Sequence, residues 1–224
     1  MGRTARVLAI ALPALIILIG LGTWQAQRLG WKQDLIASME AQLAAPPVAL
    51  PGGAIELADW AFRPVRLTGG YLQGIDFEFP ARTLDGKVGT DVLTPFVRET
   101  GEVVLVHRGW VPDGQSAEAP PAGEQAIEAV VREPWLKTAF RPDNDPAANQ
   151  WFWMEFPAMQ AGLTDGALVP YYLALVPPAE AGDAVPIARP VYLDLPNNHL
   201  EYALTWYALA AILAVITFLY LRRA

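Results

Sequence analysis

The sequence predicts an α+β membrane protein in which two transmembrane helices flank a β-rich, barrel-like extracytoplasmic domain. Three observations carry that reading. Two apolar runs free of formal charge, residues 7–23 and 202–221, lie near the two ends of a 224-residue chain. Between them, short runs of Val, Leu, Tyr, Phe and Trp are cut by Gly, Pro, Asp and Asn. All 23 acidic residues fall between positions 24 and 201, with only 12 of the 16 basic ones.

The first apolar run, VLAIALPALIILIGLGT, is long enough to cross a hydrocarbon core, which takes ~17–25 residues. Arg3 and Arg6 before it would also suit a cleaved signal peptide. No Ala-x-Ala-like site follows, however, and the run passes straight into helix-compatible sequence, so a retained anchor is expected. The span is placed at 7–25, with a helical extension at 26–45 that Ala44-Ala45-Pro46-Pro47 stops. Trp24, Arg28 and Trp31 recur there at i, i+4 and i+7 and so share one face.

From Phe62 the texture changes to strand-and-turn. Strands are expected in FRPVRLTGGYL, GIDFEFPARTL, TDVLTPFVRET, GEVVLVHRGWV, QAIEAVVREPW, QWFWMEF, LVPYYLALVPP and IARPVYLDL. The clearest hairpin turns at Thr100-Gly101. FPAMQAGLTDG suggests one short helix, and 113–125 and 177–186 read as surface loops. The β-rich domain is placed at 46–196 and the second span at 199–221.

Aromatic residues mark the ends of both runs, with Trp24 and Trp31 after the first and Tyr202, Trp206 and Tyr207 opening the second, as in an interfacial belt. Arg3, Arg6, Arg222 and Arg223 place both termini in the cytoplasm by the positive-inside rule, although Arg28, Lys32 and Arg189 pull the other way. The acidic domain is then outside. Six residues precede the first span, too few for an amphipathic mitochondrial targeting segment, so a bacterial inner membrane is expected with the main domain in the periplasm.

Composition excludes whole classes of chemistry. With no cysteine there are no disulfides, thiolate metal sites or covalent c-type haem. Ser38 and Ser116 are the only serines, and neither sits in a nucleophile elbow. Two histidines and four methionines make a multi-histidine zinc site or a sulfur-ligated copper site hard to assemble. A formal net charge of −7 argues against a nucleic-acid partner. No nucleophile-and-base constellation appears, and a non-enzyme is expected.

His199 is the residue to explain. Pro196-Asn197-Asn198 is a helix-start signal, which puts His199 in the first turn of the second span, at the outer interface. The helix dipole and partial desolvation both favour the neutral ring, which can lend a lone pair to a metal. Ala203, Trp206, Ala210 and Leu213 lie on the same stripe, two small residues leaving room for something flat and Trp206 offering a π face. A macrocycle held by one axial imidazole fits that pattern. On position alone, capping or snorkelling at the interface is the more ordinary reading.

Three ordered motifs change the weighing. Leu21, Gly22, Trp24, Gln25, Arg28, Trp31, Lys32, Leu35 and Ile36 form LG-x-WQ-x-x-R-x-x-WK-x-x-LI. Val106, Arg108, Gly109, Trp110, Val111 and Pro112 form V-x-RGWVP, with Thr94-Pro95 one strand earlier. Asn197-Asn198-His199-Leu200-Glu201-Tyr202-Ala203, followed by Thr205-Trp206-Tyr207, closes the set. Together the motifs resemble the surfeit-locus family of cytochrome c oxidase assembly proteins.

That resemblance implies two spans around an extracytoplasmic domain, binding of haem a, and its passage to the haem-bearing oxidase subunit, with haem a synthase a further candidate partner and membrane lipid the surroundings. It implies His199 as axial ligand to the haem iron; Trp206, Tyr202, Arg28 and Trp24 are the further residues expected around the ligand from their positions. Arg28 would meet haem propionates where they leave the bilayer, the alternative being an ordinary interfacial arginine between two tryptophans. His107 stands where a small polar residue often precedes Arg-Gly; it reads as a strand histidine bonded within the domain, with a second axial ligand as the alternative. Arg108 reads as structural, Gly109 as a bulge or a tight backbone position, and Trp110 as core. A cofactor-free scaffold for an oxidase intermediate is the competing function, and a haem oxidoreductase a more distant one.

Overall fold

The computed structural model describes residues 2–177, 185–191 and 195–222. It forms two compact units, one from Met1–Glu40 with Leu193–Ala224 and one from Ala41–Tyr192. In chain order the elements are α1 (Arg3–Leu43), β1 (Val48–Ala49), α2 (Leu57–Trp60), β2 (Pro64–Tyr71), β3 (Phe77–Leu84), β4 (Lys87–Arg98), β5 (Glu102–Pro112), β6 (Glu124–Arg132), α3 (Phe156–Ala161), β7 (Ala167–Leu175) and α4 (His199–Arg222). A 3-10 turn at Pro146–Ala148 precedes α3.

The first unit is an antiparallel helix pair. Arg3 on α1 donates to the Tyr220 hydroxyl on α4, the Thr23 and Tyr207 hydroxyls lie 3.1 Å apart, and Lys32 donates to the Pro196 carbonyl. Position numbers rise along α1 as they fall along α4, which fixes the direction. Both helices are long and apolar enough to cross a membrane. Their buried residues are small: Ala11 and Gly22 on α1, Ala203 and Ala210 on α4. Gly22 is needed for the close approach, because a Cβ there would sit 2.8 Å from the Tyr207 ring. Large apolar side chains such as Ile10, Ile16, Leu204 and Ile216 point outward instead. Small residues inside and large ones outside is the pattern of helices that associate in lipid.

The second unit is built on one seven-stranded sheet in the order β1-β2-β6-β7-β5-β4-β3. Alternation makes it. On β5, Val104 and Val106 enter one hydrophobic cluster with Val65, Phe96, Val131 and Leu173, while Val103 and Leu105 enter a second with Phe79 and Met159. Both faces of this central strand are therefore covered, which explains its near-continuous apolar run. β4 and β5 form the hairpin expected at Thr100-Gly101, with Gly101 at φ +83° and its N–H bonded to the Arg98 carbonyl at 2.8 Å.

The barrel expectation is corrected. The sheet curls far enough for β2 to reach β4, but over only three residue pairs (69–71 against 96–98), and β1 and β3 remain as edges. The result is a curled open sheet rather than a closed barrel. Residues 150–156 are not a strand either. Asn144 Oδ1 accepts the backbone N–H groups of Phe152 (2.8 Å) and Trp153 (3.3 Å), so a side chain supplies what a neighbouring strand would have. In 187–195 only Ile187 pairs, bridging Trp110, and 192–194 lie outside the described residues. Most of the loop expected at 177–186 lies outside them as well.

Candidate functional site

Within the helix pair, His199 is the first residue of α4. Its ring is half-buried, and its Nδ1 lies 2.7 Å from the Gln25 Oε1 on α1. The other ring nitrogen, Nε2, has no hydrogen-bond partner among the described residues and is not among the sealed, unpartnered atoms. Contacts on either side hold the pair in register: Gly22 against Tyr207 deeper along the helices, and Lys32 on the Pro196 carbonyl toward the start of α4. Just after His199, the Tyr202 N–H bonds the Asn198 carbonyl at 3.2 Å and opens the helical ladder.

The aromatic and cationic residues expected around His199 separate into two groups. Trp206 is half-buried on the stripe that faces α1, whereas Tyr202 and Trp24 are more than half exposed. Arg28 is exposed, and its guanidinium stacks 4.6 Å from the Trp31 ring centroid, with no carboxylate partner among the described residues. It therefore keeps hydrogen-bond donors available for an anionic group. The room expected along Ala203 and Ala210 is taken: both are buried, at 4% and 6% exposure, where the helices pack. A flat ligand has no open path along that stripe.

Gln25 stands in the first of the three motifs with no role attached to it there. A signal for it exists, since an amide at the edge of an apolar helix seeks a partner, but that partner is 174 positions away.

In the β domain, His107 lies on β5 with Nε2 3.3 Å from Asp91 Oδ1 and its ring edge-on to Trp135. The contact is at ion-pair distance but lacks hydrogen-bond geometry. Asp91 is buried and also faces Arg82 at 3.5 Å and Arg189 at 3.4 Å. Burial lowers the Arg82 pKa from its ordinary value, opposed by the Asp91 charge, while the guanidinium stacks 4.2 Å from the Trp135 centroid. Arg108 is structural: its Nε donates to Thr94 Oγ1 at 2.7 Å, its Nη1 to the Glu118 carbonyl at 2.9 Å, and Asp76 lies 3.5 Å away. The β4–β5 register slips at this point, leaving Arg108 as the extra residue of a bulge. Gly109, at φ +148°, lies so close to Ile187 that a Cβ would come within 2.4 Å of its carbonyl.

Among the described residues no cluster of three or more His, Asp or Glu could hold a metal ion. What the geometry offers in the helix pair is an unpartnered imidazole nitrogen at the start of α4; in the β domain His107 Nε2 also lacks a hydrogen bond, but it is sealed in at ion-pair distance from Asp91. The described residues thus define a protein of two apolar helices that carries a β domain.

Comparison with known proteins supplies the family. The SURF1 family pattern matches residues 12–211. A SURF1-like protein of Monosiga brevicollis is 33% identical, over 93% of this chain and 84% of its own. Surfeit locus protein 1 of Homo sapiens is 32% identical, over 89% and 72%, and that of Mus musculus 31%, over 89% and 70%. The chain belongs to the SURF1 family. Membership implies a role in cytochrome c oxidase assembly and is consistent with a non-enzyme.

Proposed function

We propose that this chain carries haem a for cytochrome c oxidase assembly, taking it on through His199 and releasing it to the haem-bearing oxidase subunit. The cargo is held by one axial bond. The observation that supports this is the His199 ring, with one nitrogen engaged by Gln25 and the other unpartnered. Haem iron accepts a single imidazole, and a lone replaceable bond suits a carrier better than a rigid pair. Arg28 is the residue for the propionates, and Tyr202 and Trp24 present exposed rings on the approach to His199. Haem a synthase is a fitting source of the cargo.

Both helices span a bacterial inner membrane in this reading, their outward Ile and Leu side chains facing lipid. Arg3, Arg6 and Arg222 put the termini in the cytoplasm and the β domain in the periplasm.

One observation favours a cofactor-free scaffold instead: the small-residue stripe is covered by the partner helix rather than open to a ligand. An absorption spectrum of the chain purified from a haem-a-producing host separates the two. The carrier reading expects a Soret band that His199→Ala removes while the β domain keeps its circular dichroism. No Soret band in the wild type, with oxidase assembly intact in His199→Ala, establishes the scaffold.

A further inference from the structure

We infer that Gln25 is the positioning residue that decides which nitrogen of His199 is free. An amide oxygen only accepts hydrogen bonds, so the 2.7 Å contact to Gln25 Oε1 places the proton on Nδ1. The lone pair is then on Nε2, the nitrogen without a partner among the described residues. In a neutral imidazole the hydrogen bond made by one nitrogen determines the role of the other. The inference rests on the haem reading for its purpose, but the tautomer itself is a property of the protein alone.

The surroundings hold the segment of α1 around Gln25 against α4. Gly22, one turn before it, is pressed against the Tyr207 ring, and Thr23 bonds Tyr207 through its hydroxyl while its Oγ1 also returns to the Ile19 carbonyl at 2.9 Å. Lys32, two turns after it, is bound to the Pro196 carbonyl three residues before His199. The stretch of α1 that carries Gln25 is therefore held against α4 on both sides. A ring held through Nδ1 from α1 also has its plane fixed, so Nε2 is aimed by the helix pair and not by α4 alone. Carbonyl or carboxylate partners of this kind commonly change metal affinity by about 10–100-fold when removed.

Two measurements on the full chain in lipid nanodiscs test this. The first is made without haem: ¹⁵N spectra of histidine-labelled protein at about pH 8, above the ordinary imidazole range of ~6.5, with the His107 signals identified from a His199→Ala sample. The wild type should show His199 protonated at Nδ1, Gln25→Glu should keep that form because a carboxylate also accepts, and Gln25→Leu should lose it to a mixture or to Nε2–H. The second is haem titration followed by absorption. Gln25→Leu should bind about 10–100-fold more weakly, and Gln25→Glu within a few-fold of wild type.

A wild-type ring protonated at Nε2, or a Gln25→Leu variant with unchanged tautomer, overturns the inference. Absence of haem binding in the wild type overturns the carrier reading while the ¹⁵N arm still decides the role of Gln25. Equal weakening in both variants assigns Gln25 to helix packing and also overturns the inference.

Discussion

The helix pair and the β domain bury opposite kinds of side chain. Inside the pair are Ala11, Gly22, Ala203 and Ala210, while isoleucines and leucines face out. Inside the domain are Phe79, Phe96, Leu93 and Leu105, with Arg98 and Arg108 buried among hydrogen-bond partners. The difference follows from the solvent each unit suits. In water, large apolar groups gain most by burial. In lipid they gain nothing, and close backbone packing with a few interhelical polar bonds takes over. The two histidines follow the same division. His107 Nε2 is sealed in beside Asp91 and Trp135, whereas the unpartnered Nε2 of His199 is not sealed in.

The contrast can be broken most forcibly in the domain. Phe96 is fully buried and edge-on to Tyr71 at 4.9 Å. Phe96→Ala should cost about 3–5 kcal/mol of domain stability, read as a lowered denaturant midpoint. The helix pair should not notice. Because the chain has no cysteine, Arg3→Cys and Tyr220→Cys joined by a bifunctional thiol-reactive crosslinker report helix pairing cleanly, and the crosslink should form as readily in the Phe96 variant. Loss of that crosslink would show that the two units are not independently packed.

Alkaline pH should act on the same unit. Burial raises the Tyr71 pKa to about 12, partly opposed by the Arg108 charge, and burial raises Tyr171 and Tyr172 as well. The neutral phenol is favoured in the folded state, so its contribution is complete below the unfolded value near ~10 and is lost as pH climbs through the folded value. Tyr71 alone should cost the domain roughly 2 kcal/mol by pH ~12. Tyr71→Phe should flatten that decline in a pH series of thermal melts. An unchanged slope would place the phenol in contact with water.

The helix pair has its own weak point. Gly22→Val puts side-chain atoms where the Tyr207 ring lies and should cost about 1–3 kcal/mol of helix association. The Arg3/Tyr220 cysteine crosslink should fall, with the domain's melting unaffected. The smallest effect is expected at exposed Arg28. Arg28→Leu should weaken haem retention a few-fold, and Arg28→Lys less, since the charge remains. Equal retention in the two removes Arg28 from propionate binding.

Local chemistry was legible in the sequence and long-range closure was not. Pro46-Pro47 announced the end of α1 at Leu43, Thr100-Gly101 the β4–β5 turn, and Gly109 the bulge, because each depends on backbone conformation within a few residues. The WFW run misled because its alternation is that of a strand, while Asn144 captures its N–H groups. Barrel closure depends on how far a sheet curls, a sum over many residues that no motif records. At the site, the position of His199 at a helix start was plain from Pro196-Asn197-Asn198. Its bond to Gln25 was not, since nothing local links residues 174 apart. The stripe of Ala203 and Ala210 read as room for a ligand, yet small residues serve helix packing equally well, and packing took them.

Whether a single imidazole donated from the head of α4 holds the cargo is measured most directly by chemical rescue: His199→Gly, purified from a haem-a-producing host, examined by absorption with and without added imidazole. The variant should lack the Soret band and regain one resembling the wild type when imidazole fills the vacated position. A His199→Gly protein that retains its haem with no imidazole present would contradict the account.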